Sequence, residues 1–119
     1  RVGDAVTLPS TDHWGRTIPE KEALIIWLPE CGSCSKQRLS SSGLDQMARL
    51  SNLIVVSSDS VEVLAKRYDT RTLERVHLVV PPTRVAVGGL HAPDGFAAAR
   101  ILRGRVVSVV ASPSEVDFL

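Results

Sequence analysis

The chain has 119 residues, of which 44% are hydrophobic and 23% charged, and a formal net charge of +1; this is typical of one soluble globular domain, here 1–119. Its basic residues are scattered, so charge gives no reason to expect a nucleic-acid partner. No apolar stretch approaches the roughly 20 residues of a membrane-spanning helix.

The first quarter of the chain predicts a β-hairpin followed by a buried strand. Two short β-prone pieces, Val6–Leu8 and Arg16–Ile18, flank a turn at 13–15. The apolar run Glu22–Leu28 shows no alternation, which is typical of a central strand buried on both faces of a parallel sheet. Pro29 ends this strand.

The middle of the chain predicts two helices around a second buried strand. The stretch 34–52 has a helical pattern, and we expect its serine-rich piece 40–43 to be a helix irregularity rather than a modification site or a nucleophile. Residues 52–58 predict the strand. Asp59 and Glu62 stand at capping-box spacing and predict the start of an amphipathic helix.

The last third of the chain predicts a hairpin between a third buried strand and a final helix. The Arg103–Gly104 dipeptide is a compact turn signal for that hairpin. The predicted elements are a strand at 75–80, a short helical turn at 83–89, strands at 95–102 and 105–110, and a helix from Ser112 onward. The alternation of strands and helices predicts an α/β fold, with helices packed over a sheet that contains parallel strands.

The two cysteines of the chain, Cys31 and Cys34, lie between the first buried strand and the helix predicted after it. At such a junction the first cysteine is near a helix N-terminus, where free N–H groups and the helix dipole favour a thiolate. The second lies one turn later, close enough to form a disulfide. This arrangement predicts a redox-active pair in which Cys31 is the nucleophile and Cys34 resolves the mixed disulfide, with no other cofactor.

Two other interpretations of the pair are weaker. Inert buried thiols would be the better account of a lone cysteine, but not of the only two cysteines at this spacing and junction. A structural zinc site needs about four ligands. The chain has no second CxxC, and His13, His77 and His91 lie far apart in sequence. We therefore expect no metal site.

The residues around the cysteines are expected to tune the pair. Gly32 and Ser33 are small and uncharged, so they leave the sulfur atoms accessible and add no cation to stabilise a thiolate. Glu30 directly precedes the nucleophile and opposes thiolate formation if its carboxylate lies near the sulfur. As a solvated surface charge it has no such effect.

These segments resemble the thioredoxin superfamily and, more narrowly, the TlpA/ResA-type and MauD-like thiol-disulfide oxidoreductases. The resemblance rests on "VGDAVTLPSTDHWGRTI", on "LIIWLPECGSCSK", with Trp27 as the aromatic residue four positions before the first cysteine, and on "GGLHAPDGFAAARILRGRVVSVV". It covers nearly the whole chain, although only the CxxC is a sharp motif. It implies a thioredoxin-like α/β fold with a central mixed sheet flanked by helices and an N-terminal β-hairpin.

The resemblance also implies a substrate-binding side of the site. In these families a cis proline faces the CxxC, and the backbone of its neighbour pairs with the substrate chain. Pro93 matches this position, and Pro82 is the competitor. Ala92 then leaves room beside the sulfur atoms, and Trp27 belongs to the same substrate-binding side. His91 is interpreted as a loop histidine.

Several positions depart from the pattern of these families. Glu30 stands where many TlpA-type proteins carry tryptophan, and Gln37 where many carry glutamate. Ile25 replaces the buried acid of the central strand of thioredoxin, so the sequence identifies no proton acceptor for Cys34. These departures bear on the redox potential and the partner rather than on the class of reaction.

The function that the resemblance implies is an enzyme, a thiol-disulfide oxidoreductase acting on protein disulfides or dithiols together with a redox partner protein. Such proteins are commonly extracytoplasmic, in the periplasm or on the outer face of the cell membrane, and a role in cytochrome c maturation is among those the resemblance allows. The chain begins at Arg1 rather than Met, so we expect a membrane tether, if one exists, in a segment outside it. A cytoplasmic location fits less well.

Two alternatives stay open. Peroxiredoxins share the hairpin and the sheet, so a thiol peroxidase is one; that chemistry typically places threonine three residues before the reactive cysteine, where this chain has Leu28. A non-enzymatic copper-binding or partner-binding module of the same fold is the other, because paired thiolates suit soft copper. Copper carriers of this fold usually separate the cysteines by three residues.

Overall fold

The computed structural model describes residues 2–28, 40–50, 52–88, 90–91 and 97–110, with only the backbone for Leu50, Leu90 and His91. The structural statements below concern these residues. Their elements, in chain order, are β1 (Val6–Thr7), β2 (Glu22–Leu28), α1 (Ser41–Leu50), β3 (Leu53–Ser57), α2 (Val61–Leu64), α3 (Thr70–Arg75), β4 (His77–Val79), a 3₁₀ turn (Pro82–Arg84), β5 (Ala86–Val87), β6 (Leu90–His91), β7 (Ala97–Leu102) and β8 (Arg105–Val110).

A five-stranded mixed sheet forms the centre of the molecule, in the order β4-β3-β2-β7-β8. β2, β3 and β4 are parallel, whereas β7 runs antiparallel to β2, and β8 antiparallel to β7. Parallel strands need crossover connections. The segment containing α1 connects β2 to β3, and α2 with α3 connects β3 to β4. The predicted α/β class and the mixed sheet are confirmed.

β2 is buried on both faces, as its apolar sequence without alternation predicts. Ile25 and Ile26 are both 0% exposed, although their side chains point to opposite faces. Ile26 packs in the cluster that contains Leu44 of α1, on the face covered by the helices. Ile25 and Trp27 pack on the other face, in the cluster that contains Ile18 from the N-terminal segment. The central strand therefore joins both halves of the core.

The N-terminal segment turns back on itself, but with different arms from those predicted. Thr11 bridges Thr17, and the amide of Asp12 donates to the carbonyl of Arg16, so a short hairpin does close around the predicted turn. The predicted first arm, Val6–Leu8, supplies β1, which pairs with β5 in a separate antiparallel sheet of order β1-β5-β6. The sequence of Val6–Leu8 indicates a β-strand, but it does not indicate that the partner strand is β5, about 80 residues further along the chain.

Residues just before β1 pair with the outer strand β8. The amide of Gly3 donates to the carbonyl of Val106 at 2.7 Å, and the amide of Val106 donates to the carbonyl of Asp4 at 2.9 Å. Ala5 and Arg105 form an isolated antiparallel bridge beside them. The N-terminal segment thus covers the first half of β8.

The helices begin at serine and aspartate caps. The hydroxyl of Ser40 accepts a hydrogen bond from the amide of Gly43 at 3.0 Å, so the serine-rich piece is the start of α1. The earlier part of the predicted helix, 34–39, lies outside the described residues. Ser60 caps α2, whereas Asp59, the predicted cap, binds a neighbouring arginine instead. No helix in the described ranges is long and apolar enough to cross a membrane.

The segment between β3 and β7 is more broken than predicted. The predicted amphipathic helix, with its apolar face from Val61 to Tyr68, is the shorter α2. A further helix, α3, follows it, and Asp69 caps α3 through the amide of Arg71. α3 extends to Arg75, which shortens the predicted strand 75–80 to β4. The predicted helical turn at 83–89 is the 3₁₀ turn followed by β5. Short elements of this kind are set by long-range packing rather than by local pattern.

The hairpin of β7 and β8 turns at Arg103 and Gly104, as predicted. Both residues have positive φ, 52° and 78°, as a type I′ turn requires. A Cβ at Gly104 would meet no heavy atom within 4 Å, so only backbone strain opposes a side chain there.

We expect Gly104→Ala to lower the free energy of unfolding by about 1–2 kcal/mol, and Gly104→Asn to lower it by less. Urea denaturation compares the two variants, and equal losses would contradict this account.

Candidate functional site

One edge of the central sheet collects four strand ends. Trp27 of β2 is level with Val56 of β3 and Ala97 of β7, and Val56 is level with Val79 of β4. The carboxyl ends of three parallel strands and the start of β7 therefore meet there, at what we name the Trp27 edge. Ligands of open α/β sheets bind outside the carboxyl ends of the strands, so this edge is the candidate site.

Most of the predicted exchange site lies outside the described residues. The positions concerned are Glu30, Cys31, Gly32, Ser33, Cys34, Ala92 and Pro93. The structure describes Trp27 fully and the backbone of His91, which belongs to β6. The roles assigned to the other positions stay predictions.

Pro82, the competitor for the functional proline, can be assessed. It opens the 3₁₀ turn after β4. In this part of the chain the cis peptide bond is Val80–Pro81, one residue earlier, whereas the bond before Pro82 is trans. Pro82 is therefore not a cis proline, and of the two sequence candidates only Pro93 stays open.

The indole N–H of Trp27 is the unusual polar group at this edge of the sheet. Its side chain is 5% exposed and packs in the cluster that contains Val79 and Val85. Within the described residues, the indole Nε1 has no hydrogen-bond partner. The large majority of buried side-chain polar atoms do have one, and leaving a buried donor unpaired costs about 1–3 kcal/mol. A phenylalanine would bury an aromatic ring here without that cost.

Two described polar side chains next to this edge, those of Ser57 and Asp59, are paired. Ser57, which is level with Leu28, is 1% exposed, and its hydroxyl accepts a hydrogen bond from the amide of Asp59 at 3.0 Å. The carboxylate of Asp59 accepts from Arg67 at 2.8 Å, and both side chains are largely buried. Asp59 and Arg67 thus neutralise each other directly beyond the end of β3.

A buried carboxylate lies at the other end of β4. Asp12 is 4% exposed, and its Oδ1 accepts hydrogen bonds from the amides of Trp14 and Arg16, both at 2.9 Å. Its Oδ2 lies 2.7 Å from Nδ1 of His77 and 3.2 Å from Nε of Arg16. Burial alone would raise the pKa of Asp12. The hydrogen bonds from the Arg16 amide and from His77 outweigh that effect and hold this pKa below its usual range.

Asp12, Arg16 and His77, which we name the Asp12 cluster, join the turn 12–16 to the segment 73–78. The three further bonds are Nη2 of Arg16 to the carbonyl of Val76 at 2.6 Å, the amide of His13 to the carbonyl of Leu78 at 2.6 Å, and Nε1 of Trp14 to the carbonyl of Leu73 at 3.1 Å. β4 is an outer strand of the sheet, so the turn covers backbone groups that would otherwise be unpaired. The role of the cluster is structural.

No motif predicted the Asp12 cluster. In the sequence, His77 bears only on the question of a metal site, and its partner Asp12 is 65 residues away. The turn that ends at Gly15 is the only signal that could have pointed to a carboxylate accepting backbone amides. Within the described ranges, no three His, Cys, Asp or Glu side chains come together in a way that could hold a metal ion.

A polar groove of about 400 Å³ lies between α1 and α3 and includes Ser41 and Ser42. The carboxylate of Asp45 accepts from Nε of Arg49 at 3.0 Å and from Nη1 of Arg75 at 2.9 Å. Both arginines are at least half exposed. The carboxylate offsets part of their charge, so the groove is not a strongly basic patch.

Comparison with solved structures finds a similar fold. The chain resembles the crystal structure of a peroxiredoxin-like protein from Aquifex aeolicus, with a TM-score of 0.53 and 18% sequence identity, over 95% of this chain and 77% of that one. At this identity the likeness shows the fold alone, and it confirms the thioredoxin-like fold. The narrower resemblance to TlpA/ResA-type and MauD-like proteins stays a prediction. No protein-family model and no curated protein matches the chain.

Proposed function

We propose that this protein is a thiol-disulfide oxidoreductase that exchanges electrons with protein disulfides or dithiols through Cys31 and Cys34. The observation that carries the proposal is the position of the CxxC motif in the chain. The first cysteine follows the last residue of β2, Leu28, by three residues, and β2 is the central strand of a thioredoxin-like sheet. A redox pair at that point of this fold is reached by substrates at the Trp27 edge.

Chain connectivity favours a shared site for Cys31 and Pro93. Consecutive Cα atoms are about 3.8 Å apart, so the Cα of Cys31 is within about 11 Å of that of Leu28. Pro93 precedes Ala97 by four residues, which limits their Cα separation to about 15 Å. Ala97 and Trp27 are directly paired across β7 and β2. Both limits apply to the same edge of the sheet.

The proposed reaction is a two-step exchange. The Cys31 thiolate attacks one sulfur of a substrate disulfide, so a mixed disulfide forms and the other substrate sulfur leaves as a thiolate. The Cys34 thiolate then attacks the Cys31 sulfur, which forms the Cys31–Cys34 disulfide and releases the second substrate thiolate. Two electrons and two protons pass to the substrate in total, and the reverse sequence oxidises a dithiol. No further cofactor takes part.

The neighbouring residues complete the proposal. The backbone beside Pro93 binds the substrate chain, and Ala92 leaves room beside the sulfur atoms. Gly32 and Ser33 keep the pair accessible, while Glu30 adjusts the stability of the thiolate. A redox partner protein restores the starting state, and we place the reaction outside the cytoplasm by resemblance to the TlpA/ResA-type proteins.

A second candidate function is a thiol peroxidase. The observation that favours it is the structural likeness to the peroxiredoxin-like protein from Aquifex aeolicus. In that reaction the Cys31 thiolate would attack a peroxide oxygen, break the O–O bond and become a sulfenic acid, while the peroxide is reduced to water or an alcohol. Leu28 in place of the typical threonine argues against it.

Alkylation followed by mass spectrometry tests the proposed function. The chain has only two cysteines, so the number of alkyl groups added reports directly on the pair. We expect two after treatment with a dithiol reductant and none after oxidised glutathione, reversibly over several cycles. A pair that resists both reagents would rule out the oxidoreductase. Rapid consumption of hydrogen peroxide by the reduced protein would select the peroxidase instead.

A further inference from the structure

An open cavity of about 550 Å³ lies at the end of the central sheet opposite the Trp27 edge. Its lining residues belong to three segments, 6–8, 20–21 and 103–104. Glu22, which follows the second segment, is level with Leu102, whereas Trp27 is level with Ala97 at the other end of the same strand pair. The proposed exchange reaction therefore makes no use of this cavity, which we name the Arg103 cavity.

Backbone hydrogen bonds join the segments that line the Arg103 cavity into a closed ring of chain. The bonds run from the amide of Val6 to the carbonyl of Gly104 at 2.8 Å, from the amide of Arg103 to the carbonyl of Lys21 at 2.7 Å, and from the amide of Ile18 to the carbonyl of Ser10 at 3.0 Å. The segments 6–10, 18–21 and 103–104 therefore hold one another in place. The cavity is thus formed by the fold itself, as most ligand sites are.

The charged side chains of the Arg103 cavity have no partner in the described residues. Glu20, Lys21 and Arg103 line the cavity, are exposed, and form no ion pair or side-chain hydrogen bond there. The neighbouring charges do have partners, since Arg100 donates to the carboxylate of Glu22 at 2.9 Å. Two cations and one carboxylate of the cavity are therefore available to a ligand.

The cavity also offers aliphatic surface. The side chains of Val6 and Leu8 are partly buried and pack against the core cluster that contains Ile25. Small-molecule sites typically combine apolar walls with a few polar groups, in volumes of about 300–1,000 Å³. In size and in composition the Arg103 cavity fits this description.

Arg103 is an unexpected residue for its backbone conformation. It is the non-glycine residue with a positive φ, 52°, in the part of the chain that the structure describes. A type I′ turn favours asparagine, aspartate or glycine at such a position, and other side chains there cost about 1–2 kcal/mol. Packing does not offset this cost, because the side chain is exposed. A strained residue of this kind points to a use for its side chain.

We propose that the Arg103 cavity binds an amino acid or short peptide with an aliphatic side chain. The ligand carboxylate pairs with Arg103 and Lys21, since a guanidinium binds a carboxylate through two parallel hydrogen bonds. The ligand ammonium pairs with Glu20, whose charge also repels compounds with several negative charges. The aliphatic side chain contacts Val6 and Leu8. This binding is independent of the proposed exchange reaction.

Titration of the full chain with leucyl-leucine, followed in the ¹⁵N–¹H spectrum, tests the proposal. We expect the amide signals of residues 6–8, 20–21 and 103–104 to shift at millimolar concentrations of the dipeptide, while those of β3 and β4 stay in place. N-acetyl leucyl-leucine amide has the same side chains and neither charge, so it should bind at least about tenfold more weakly. Equal binding of the two compounds, or no shift with leucyl-leucine, would overturn the proposal.

Arg103→Asn separates a ligand-binding role from a structural one. Asparagine suits the left-handed position, so this variant should unfold at the same or a higher urea concentration than the wild type. It should nevertheless bind leucyl-leucine at least about tenfold more weakly. Glu20→Gln should weaken binding of leucyl-leucine and strengthen that of its N-acetyl form, which has a carboxylate but no ammonium.

Arg71→Gln is the matched control for Arg103→Asn. Arg71 is likewise exposed, and its side chain has no partner in the described ranges, but it lies on α3. The control should bind leucyl-leucine as the wild type does. Undiminished binding by Arg103→Asn, or equal weakening by Arg71→Gln, would show that the Arg103 cavity is not the site.

Discussion

The Cys31→Ser variant is expected to lose thiol-disulfide exchange by about a thousandfold or more, as for removal of an enzyme nucleophile. A serine hydroxyl is not ionised at neutral pH and cannot form a mixed disulfide. The measurement is the rate of reduction of a protein disulfide with the variant as the only catalyst. Ser42→Ala, a change at an exposed serine on α1, is the control and should keep the wild-type rate.

The Cys34→Ser variant should behave differently, because it keeps the nucleophile and lacks the resolving thiol. We expect it to accumulate mixed disulfides with substrate proteins, visible as heavier species on a non-reducing gel that collapse on reduction. Cys31→Ser should show none. If Cys31→Ser accumulated mixed disulfides and Cys34→Ser did not, the roles of the two cysteines would be reversed.

Asp12→Ala is expected to lower the free energy of unfolding by about 2–4 kcal/mol. This loss is larger than the one expected for Gly104→Ala. The change removes the acceptor of the hydrogen bonds from Trp14, Arg16 and His77. It leaves the amides of Trp14 and Arg16 and the largely buried imidazole of His77 without this acceptor. Urea denaturation at neutral pH measures the loss.

Glu22→Ala is the matched control for Asp12→Ala. Glu22 also forms an ion pair, with Arg100 at 2.9 Å, but its side chain is 58% exposed and that of Arg100 is 48% exposed. Such surface pairs contribute about 0–1 kcal/mol. If Asp12→Ala cost no more than Glu22→Ala, the Asp12 cluster would not be what holds the turn 12–16.

The same carboxylate should make stability depend on pH in acid. The pKa of Asp12 is lowered in the folded protein, so as the pH falls the unfolded chain takes up this proton first. The stabilisation is therefore complete above the ordinary value of 3.8 and is lost as the pH falls through the lowered pKa. The stability difference between wild type and Asp12→Asn should narrow between about pH 5 and about pH 2. A difference that is constant over this range would contradict the assignment.

The sequence predicts best the elements whose local pattern and packing agree. The run Glu22–Leu28 is apolar at nearly every position because β2 is covered on both faces, and its predicted bounds are those of the strand. The bounds of β8 are likewise as predicted, because Arg103–Gly104 defines the turn before it. β1 and β5, with two residues each, depend on a partner 80 residues away, which no local pattern reveals.

The candidate site divides in the same way. Two cysteines at CxxC spacing suggest their chemistry by local sequence alone. The position of the Trp27 edge follows from the strand order of the predicted fold, and that fold is confirmed. The Asp12 cluster could not, because it joins residues that only the tertiary fold brings together. The unpaired Trp27 N–H is likewise a property of packing, since the sequence shows only an aromatic residue before the CxxC.

The covering of both outer strands by the N-terminal segment has a consequence for how the chain folds. Residues 3–5 pair with β8, and Arg105 and Gly3, joined by a hydrogen bond, are 102 residues apart in sequence; the turn 12–16 pairs with β4. Contacts between residues so far apart in sequence slow folding, because the entropy cost of closing the long loop arises before the contacts can stabilise the chain. During synthesis this segment emerges well before its partners exist. Residues 3–5 therefore cannot take their final places until β8 has been completed.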